Sequence, residues 1–173
     1  TARLGPDIAV IDTHPDPDDP LARDGATVTL VPTPCRSTAG VVTIPAADDE
    51  TDRALAVVAC PADDRLVVID LDHSGAVGTI AVAGRPTGLV RDGDRIGAST
   101  AGDGRIHTFG VDQLVRAVAA LPNREEDGPV PALDVRSTAQ PVWVDGDRTA
   151  SSLTALDAGP DGVIGTYQVV DNE

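Results

Sequence analysis

The side chains with the clearest capacity for binding chemistry are three pairs of arginine and threonine that recur along the chain. The pairs are Arg36 with Thr38, Arg85 with Thr87, and Arg136 with Thr138, and the arginines are 49 and 51 residues apart. A guanidinium group presents a planar set of donors that matches a carboxylate or a phosphate, and a threonine hydroxyl adds another donor. If successive structural units bring the pairs to one rim, these six side chains predict a binding site for an anion.

A structural role for the same residues stays open beside this prediction. An arginine at the junction of two units can pair with an aspartate of the neighbouring unit, while the threonine closes the turn. Repetition favours this second interpretation, because residues that shape a repeat recur in every copy and catalytic residues rarely do. No catalytic residue is predicted, since the sequence contains no Gly-x-Ser-x-Gly elbow, phosphate-binding loop or dinucleotide fingerprint.

Carboxylates supply weaker candidates for a metal site. Asp16, Asp18 and Asp19 form an acidic loop that offers oxygen ligands to Ca²⁺, but they lack the order of a calcium-binding loop. A solvated surface loop is the simpler interpretation. The same reasoning applies to residues 70–73, whose two aspartates and one histidine are explained by a polar hairpin turn.

The two cysteines predict a disulfide. Cys35 precedes the first Arg-x-Thr segment, and Cys60 ends a strand of the same unit, so both are expected at one end of that unit. A disulfide implies an oxidising compartment and hence a secreted, periplasmic or cell-surface protein. Two free, half-buried thiols are the alternative.

Strand patterns place the arginine segments between the units of a repeat. Runs rich in Val and Ile, separated by turn residues, predict four antiparallel strands in each unit of about 50 residues. The identical segments 92–95 and 145–148 predict tight hairpin turns at matching positions. Residues 111–121 have apolar side chains at helical spacing before a proline and predict a short helix. We therefore expect an all-β fold whose four-stranded antiparallel units are the blades of a β-propeller, with a compact sandwich as the alternative.

The strand count gives about three and a quarter blades in a single domain over residues 1–173. The predicted units are a partial blade over 1–35, blades over 36–84 and 85–135, and a partial blade over 136–173, and the last strand of the 85–135 blade is expected at 130–135. Because an open array leaves an uncovered core face, further blades are expected from missing sequence, a second subunit or self-association. The chain begins at Thr1 and contains no Met, which also suggests a mature or excised portion of a longer polypeptide.

One stretch, residues 54–110, resembles the YVTN type of β-propeller repeat. The resemblance is carried by the strand residues 67–70 and 79–82 and by the segment Gly84-Arg85-Pro86. The tetrapeptide that names the repeat is absent, and residues 57–60 stand in its place. The resemblance implies a propeller scaffold, and some related families are lactonase-like hydrolases.

The net charge of the chain limits the classes of partner that it is expected to bind. With 28 acidic residues, 13 arginines and no lysine, the net charge is −15, which argues against binding to nucleic acids or anionic membranes. No stretch reaches the ~20 apolar residues of a membrane helix, so no membrane insertion is expected.

We expect a non-catalytic secreted or surface scaffold that binds a protein or glycan through its blade-junction rim, with no cofactor beyond an optional Ca²⁺. The first alternative is a lactonase-like hydrolase with an anion-binding channel mouth. The second is the propeller part of a quinone-cofactor dehydrogenase, for which the chain offers few aromatic side chains, namely Phe109, Trp143 and Tyr167.

Overall fold

The chain folds mainly into antiparallel β-structure, which confirms the predicted all-β class. The computed structural model describes residues 7–12, 27–46, 53–121, 128–141, 152–158 and 164–170. The calcium candidates Asp16, Asp18 and Asp19 and the predicted hairpin at 145–148 lie outside these residues. Within the described ranges, no helix has the length and apolar character needed to cross a membrane.

Twelve strands are described, and they form four sheets that follow one another in chain order. The strands are β1 (Asp7–Asp12), β2 (Thr27–Pro32), β3 (Val41–Ile44), β4 (Leu55–Cys60), β5 (Arg65–Asp70), β6 (Gly75–Ala81), β7 (Pro86–Asp92), β8 (Arg95–Thr100), β9 (Arg105–Gly110), β10 (Thr138–Pro141), β11 (Ser152–Ala158) and β12 (Ile164–Val170). Sheet I pairs β1 with β2, sheet II contains β3 to β6, sheet III contains β7 to β10, and sheet IV pairs β11 with β12. Within sheets II and III each strand pairs with the next one along the chain, as in two antiparallel meanders.

Sheet II is covered on both faces, which explains why its central strands read as continuous apolar runs rather than as alternating patterns. Val57 and Val68 belong to a core that is shared with sheet III. Val58 and Val67 face the opposite way, into a second core shared with sheet I. The four side chains are at most 1% exposed. Sheet II is therefore packed between its two neighbours in the chain.

The predicted helix is present as α1 (Val111–Ala119), which follows β9 directly. Its side chains at positions 111, 114, 115 and 118 are buried in the core between sheets II and III. The apolar residues fall on one face because they recur every three to four positions.

The segment 130–135 differs from its predicted role as the last strand of sheet III. Thr79 of β6 donates its backbone N–H to the Pro131 carbonyl at 2.8 Å, and Leu133 donates to the Thr79 carbonyl at 2.7 Å. This segment thus lies parallel to the outer edge of sheet II. The absence of a side chain at Gly78 makes room for Leu133, since a Cβ there would lie 2.5 Å from the Leu133 side chain. The fourth strand of sheet III is instead β10, which begins beyond the predicted boundary at 135.

Sheets II and III approach each other closely where their first strands begin. The backbone N–H of Gly40 donates to the carbonyl of Thr87 at 3.0 Å. A Cβ at Gly40 would lie only 2.7 Å from the backbone nitrogen of Leu89, so this approach requires glycine. This contact brings the start of β3 next to the start of β7. The Arg-x-Thr segments of residues 36–38 and 85–87 therefore lie near each other.

Candidate functional site

Two equivalent turns close one end of sheets II and III. The β4–β5 turn (61–64) and the β8–β9 turn (101–104) are forty residues apart in the sequence, which aligns Asp63 with Asp103. The last residues of the turns, Asp64 and Gly104, both have left-handed backbone conformations, with φ values of 50° and 62°. We call this part of the molecule, together with the loops that carry Arg36 and Arg85, the junction end.

The loop of Arg36 is held by the carboxylate of Asp63. The backbone N–H of Arg36 donates to Oδ2 of Asp63 at 2.7 Å, and its Nε lies 3.2 Å from Oδ1. The side chain of Arg36 is 81% exposed, whereas that of Asp63 is only 11% exposed. The carboxylate therefore fixes the start of the loop while most of the arginine side chain remains in solvent.

The loop of Arg85 is held by the next residue of the same turn. The backbone N–H of Arg85 donates to Oδ1 of Asp64 at 2.8 Å, and the Arg85 carbonyl accepts from the N–H of Ala101 at 3.1 Å. Arg85 itself has a left-handed backbone, with φ at 59°. Its side chain is exposed, and within the described part of the chain its guanidinium makes no ion pair. One pair of adjacent aspartates thus organises two successive arginine loops.

The third arginine does not share this end of the sheets, which corrects the prediction of a single rim of three. Thr138 pairs with Thr108, and Pro141 pairs with Arg105, so β10 runs toward the β8–β9 turn and Arg136 precedes its far end. In the amide orientation that satisfies both groups, Gln113 of α1 donates to the Arg136 carbonyl at 3.2 Å and accepts from its N–H at 2.9 Å. Arg136 is therefore placed by the helix and not by an aspartate turn.

The three threonines also differ in their surroundings. Thr38 and Thr87 are half-buried beside the junction end, whereas Thr138 is exposed and forms the first residue of β10. The repeated sequence pattern therefore does not mark one kind of position: residues 36–38 precede β3, whereas Thr87 and Thr138 lie at the starts of β7 and β10.

The predicted disulfide is present between Cys35 and Cys60, with a Cα–Cα distance of 5.6 Å. The two cysteines are 5% and 0% exposed. The bond joins the residue before Arg36 to the residue that precedes the 61–64 turn. It therefore ties the Arg36 loop to the same end of sheet II that carries Asp63 and Asp64.

The aspartates and histidine of residues 70–73 are engaged in closing a turn. Asp70, which is 2% exposed, accepts the backbone N–H groups of Asp72 and His73, both at 3.0 Å. The Nδ1 atom of His73 lies 3.0 Å from the same carboxylate. These bonds are those of a polar hairpin turn. No group of three or more potential metal ligands occurs among the residues that the structure describes.

A second polar group lies on the β9–β10 pair. The Nδ1 atom of His107 is 3.3 Å from Oγ of Ser137, and its Nε2 atom is buried without a hydrogen-bond partner among the described residues. Burial lowers the pKa of His107, the nearby Asp103 opposes that shift, and Arg105 adds to it. The imidazole is therefore biased toward its neutral form.

Sequence reasoning missed Asp63 and Asp64, although a signal for them exists. Asp63 and Asp64 are the third and fourth residues after the end of β4. Asp63 has a counterpart forty residues later in Asp103, the third residue after the end of β8. No family model matches the chain, and no curated protein or solved structure is significantly similar to it.

Proposed function

We propose that the chain is part of a non-catalytic β-propeller scaffold that binds an anionic protein or glycan at the junction end. The proposal rests on one observation: a single turn, residues 61–64, binds the backbones of both arginine loops. Asp63 and Asp64 hold the backbone N–H groups of Arg36 and Arg85 at 2.7 and 2.8 Å. Rigid loops that keep guanidinium groups in solvent reduce the ordering that an anionic partner must induce on binding.

The propeller arrangement is supported by the relation between sheets II and III. Both are four-stranded antiparallel meanders, and they share one apolar core. The backbone bond from Gly40 to Thr87 joins them where their first strands begin. Consecutive meanders that pack face to face are typical of propeller blades. Completion of the ring would come from further sequence, a second subunit or self-association.

Local charge supports the choice of an anionic partner. The junction end carries Arg36 and Arg85 with Asp63, Asp64 and Asp103, and the first residues of β5 and β9 add Arg65 and Arg105 beside it. Counted together, these four arginines and three aspartates are slightly positive in a chain whose net charge is −15. An arginine at such a place can form a bidentate pair with a carboxylate or a phosphate.

A secreted or cell-surface location is part of the proposal. The buried Cys35–Cys60 disulfide supports it, because such bonds persist mainly in oxidising compartments.

The binding proposal is tested by isothermal titration with three anionic probes: inorganic phosphate, an oligogalacturonide and a poly-aspartate peptide. We expect at least one probe to bind and Arg85→Ala to weaken that binding about tenfold, the equivalent of one charge-assisted hydrogen bond. The matched control is Arg95→Ala, which removes the same charge at the opposite end of sheet III. Its effect is expected to stay below about twofold because Arg95 is remote from the junction end.

Absence of binding for all three probes contradicts the binding proposal. Equal losses in Arg85→Ala and Arg95→Ala also contradict it, since they would indicate a response to total charge alone. The propeller arrangement has a separate test in sedimentation analysis. A monomer of 17.7 kDa that unfolds in one cooperative transition contradicts an incomplete ring that needs further blades.

A further inference from the structure

The two arginine loops of the junction end are attached to their own sheets in different ways. In sheet III, the carbonyl of Arg85 accepts from Ala101 at 3.1 Å, and the carbonyl of Gly84 accepts from Gly102 at 2.7 Å. Two backbone hydrogen bonds therefore join this loop to the β8–β9 turn. The Arg36 loop has no such bonds to the β4–β5 turn among the described residues.

One residue explains the absence of the first of these two bonds. The forty-residue alignment of the turns places Pro61 of sheet II where sheet III has Ala101. The strand register places Ser37 where sheet III has Arg85, because Val41 faces Val58 as Leu89 faces Ala98. Proline has no backbone N–H, so residue 61 cannot donate to the carbonyl of Ser37, the residue after Arg36. The bond that holds Arg85 in sheet III is therefore chemically excluded at the equivalent place in sheet II.

The disulfide lies directly beside these positions. Cys35 immediately precedes Arg36, and Cys60 precedes the turn as Thr100 does in sheet III. We infer that the Cys35–Cys60 bond replaces the missing backbone hydrogen bonds and is the positioning element for Arg36. The inference also predicts that the disulfide affects the affinity of the anion site, and this part of it rests on the proposed function.

The rest of the Arg36 loop shows why the effect is local. Ala39 donates to the Ala59 carbonyl at 3.0 Å, and Ala59 donates to the Gly40 carbonyl at 2.9 Å, so the later part of the loop is joined to β4 by its backbone. Without the disulfide, the earlier part would keep two ties: the carboxylate of Asp63 to the Arg36 N–H and the guanidinium of Arg65 to the Pro34 carbonyl. The Arg85 loop would keep all of its own bonds.

The direct test follows hydrogen exchange at single backbone amides by NMR. Removal of the disulfide in Cys35→Ala/Cys60→Ala is expected to lower the protection of the Arg36 amide about tenfold, as for loss of one stabilising contact. Adding Pro61→Ala restores a donor at residue 61 and is expected to return protection to within about threefold of wild type. The Arg85 amide is the internal control and should change by less than about twofold in both variants.

The rescue variant keeps the test decisive if removal of the disulfide prevents folding. In that case the triple variant with Pro61→Ala must fold and protect the Arg36 amide. A triple variant that stays unfolded, or a double variant with unchanged Arg36 protection, overturns the inference.

Affinity for the best of the three anionic probes is the second readout. We expect the double variant to bind that probe about fivefold more weakly, the triple variant to recover, and Arg36→Ala to have little further effect in the double variant. Unchanged affinity in a folded double variant contradicts control of the site by the disulfide. If wild type binds no probe, the proposed function fails, while the exchange experiment still decides whether the disulfide positions Arg36.

Discussion

Replacement of Asp64 tests the link between the turn of sheet II and the loop of sheet III. Asp64 makes two separable contributions: its carboxylate accepts the Arg85 N–H at 2.8 Å, and its backbone adopts a left-handed conformation with φ at 50°. Asparagine keeps both a side-chain acceptor and tolerance of this conformation. Glycine keeps only the tolerance, and alanine keeps neither.

These differences give an expected order of stability. Loss of the exposed hydrogen bond costs about 1 kcal/mol. The left-handed conformation costs alanine about 1 kcal/mol more than aspartate. We therefore expect destabilisation by about 2 kcal/mol for Asp64→Ala, about 1 kcal/mol for Asp64→Gly and less than about 0.5 kcal/mol for Asp64→Asn.

Urea denaturation followed by circular dichroism measures this order. The dependence of the unfolding free energy on urea should stay constant across the series, because the surface exposed on unfolding hardly changes. In thermal denaturation, Asp64→Ala should lower Tm by about 4–8 °C for a chain of this length. Equal effects of alanine and glycine would refute the backbone argument. Wild-type stability in all three variants would refute the tie between Asp64 and Arg85.

Two further predictions concern the core and the histidine. Gly78→Val should destabilise the fold by about 1–3 kcal/mol because the valine side chain would collide with Leu133. In urea denaturation, a double variant that also carries Leu133→Ala should recover part of this loss. Additive losses in the double variant would contradict the contact. Burial lowers the pKa of His107 below its unfolded value, so its contribution to stability is complete above about pH 6.5 and is lost as the pH falls through the folded pKa. The decrease in Tm between pH 7.5 and 5.5 should therefore be smaller for His107→Gln than for wild type, and an equal decrease would contradict this assignment.

The sequence predicted most strands because local pattern determines them. The runs that became β4, β5, β8 and β9 combine branched apolar residues with turn residues at both ends. The pattern predicts these strands at 54–60, 66–70, 95–100 and 104–109, within one residue of the observed bounds. The hairpin at 92–95 was predicted from Asp-Gly, and Gly93 has the expected positive φ of 53°. The helix and the disulfide were also predicted correctly.

The prediction of the segment 130–135 failed because partner choice depends on tertiary structure. Its alternation of apolar residues suits a strand, but the pattern does not specify which sheet edge it joins. Segment 130–135 joins β6 because Leu133 fits into the space that Gly78 leaves there. The same limit applies to Arg136. Its short sequence motif matches those of Arg36 and Arg85, but Gln113 and the register of β10 place it away from the junction end.

The candidate site was predicted in part. The arginines at positions 36 and 85 were recognised by their repetition. The aspartates that hold their backbones lie in a turn 27 and 21 residues away in the sequence, so no local pattern connects them. An alignment of the two turns by their strand ends would have identified Asp63 through Asp103.

The proposed binding of anions at the junction end is tested most directly by NMR titration of the arginine side chains. The Nε–H signals of Arg36 and Arg85 should shift in a saturable way with the oligogalacturonide, phosphate or poly-aspartate probe, whereas the signal of Arg95 should remain unchanged. Raising the ionic strength should weaken the response, because the contacts are charged and exposed. An absence of saturable shifts at Arg36 and Arg85, or an equal response at Arg95, would contradict the account.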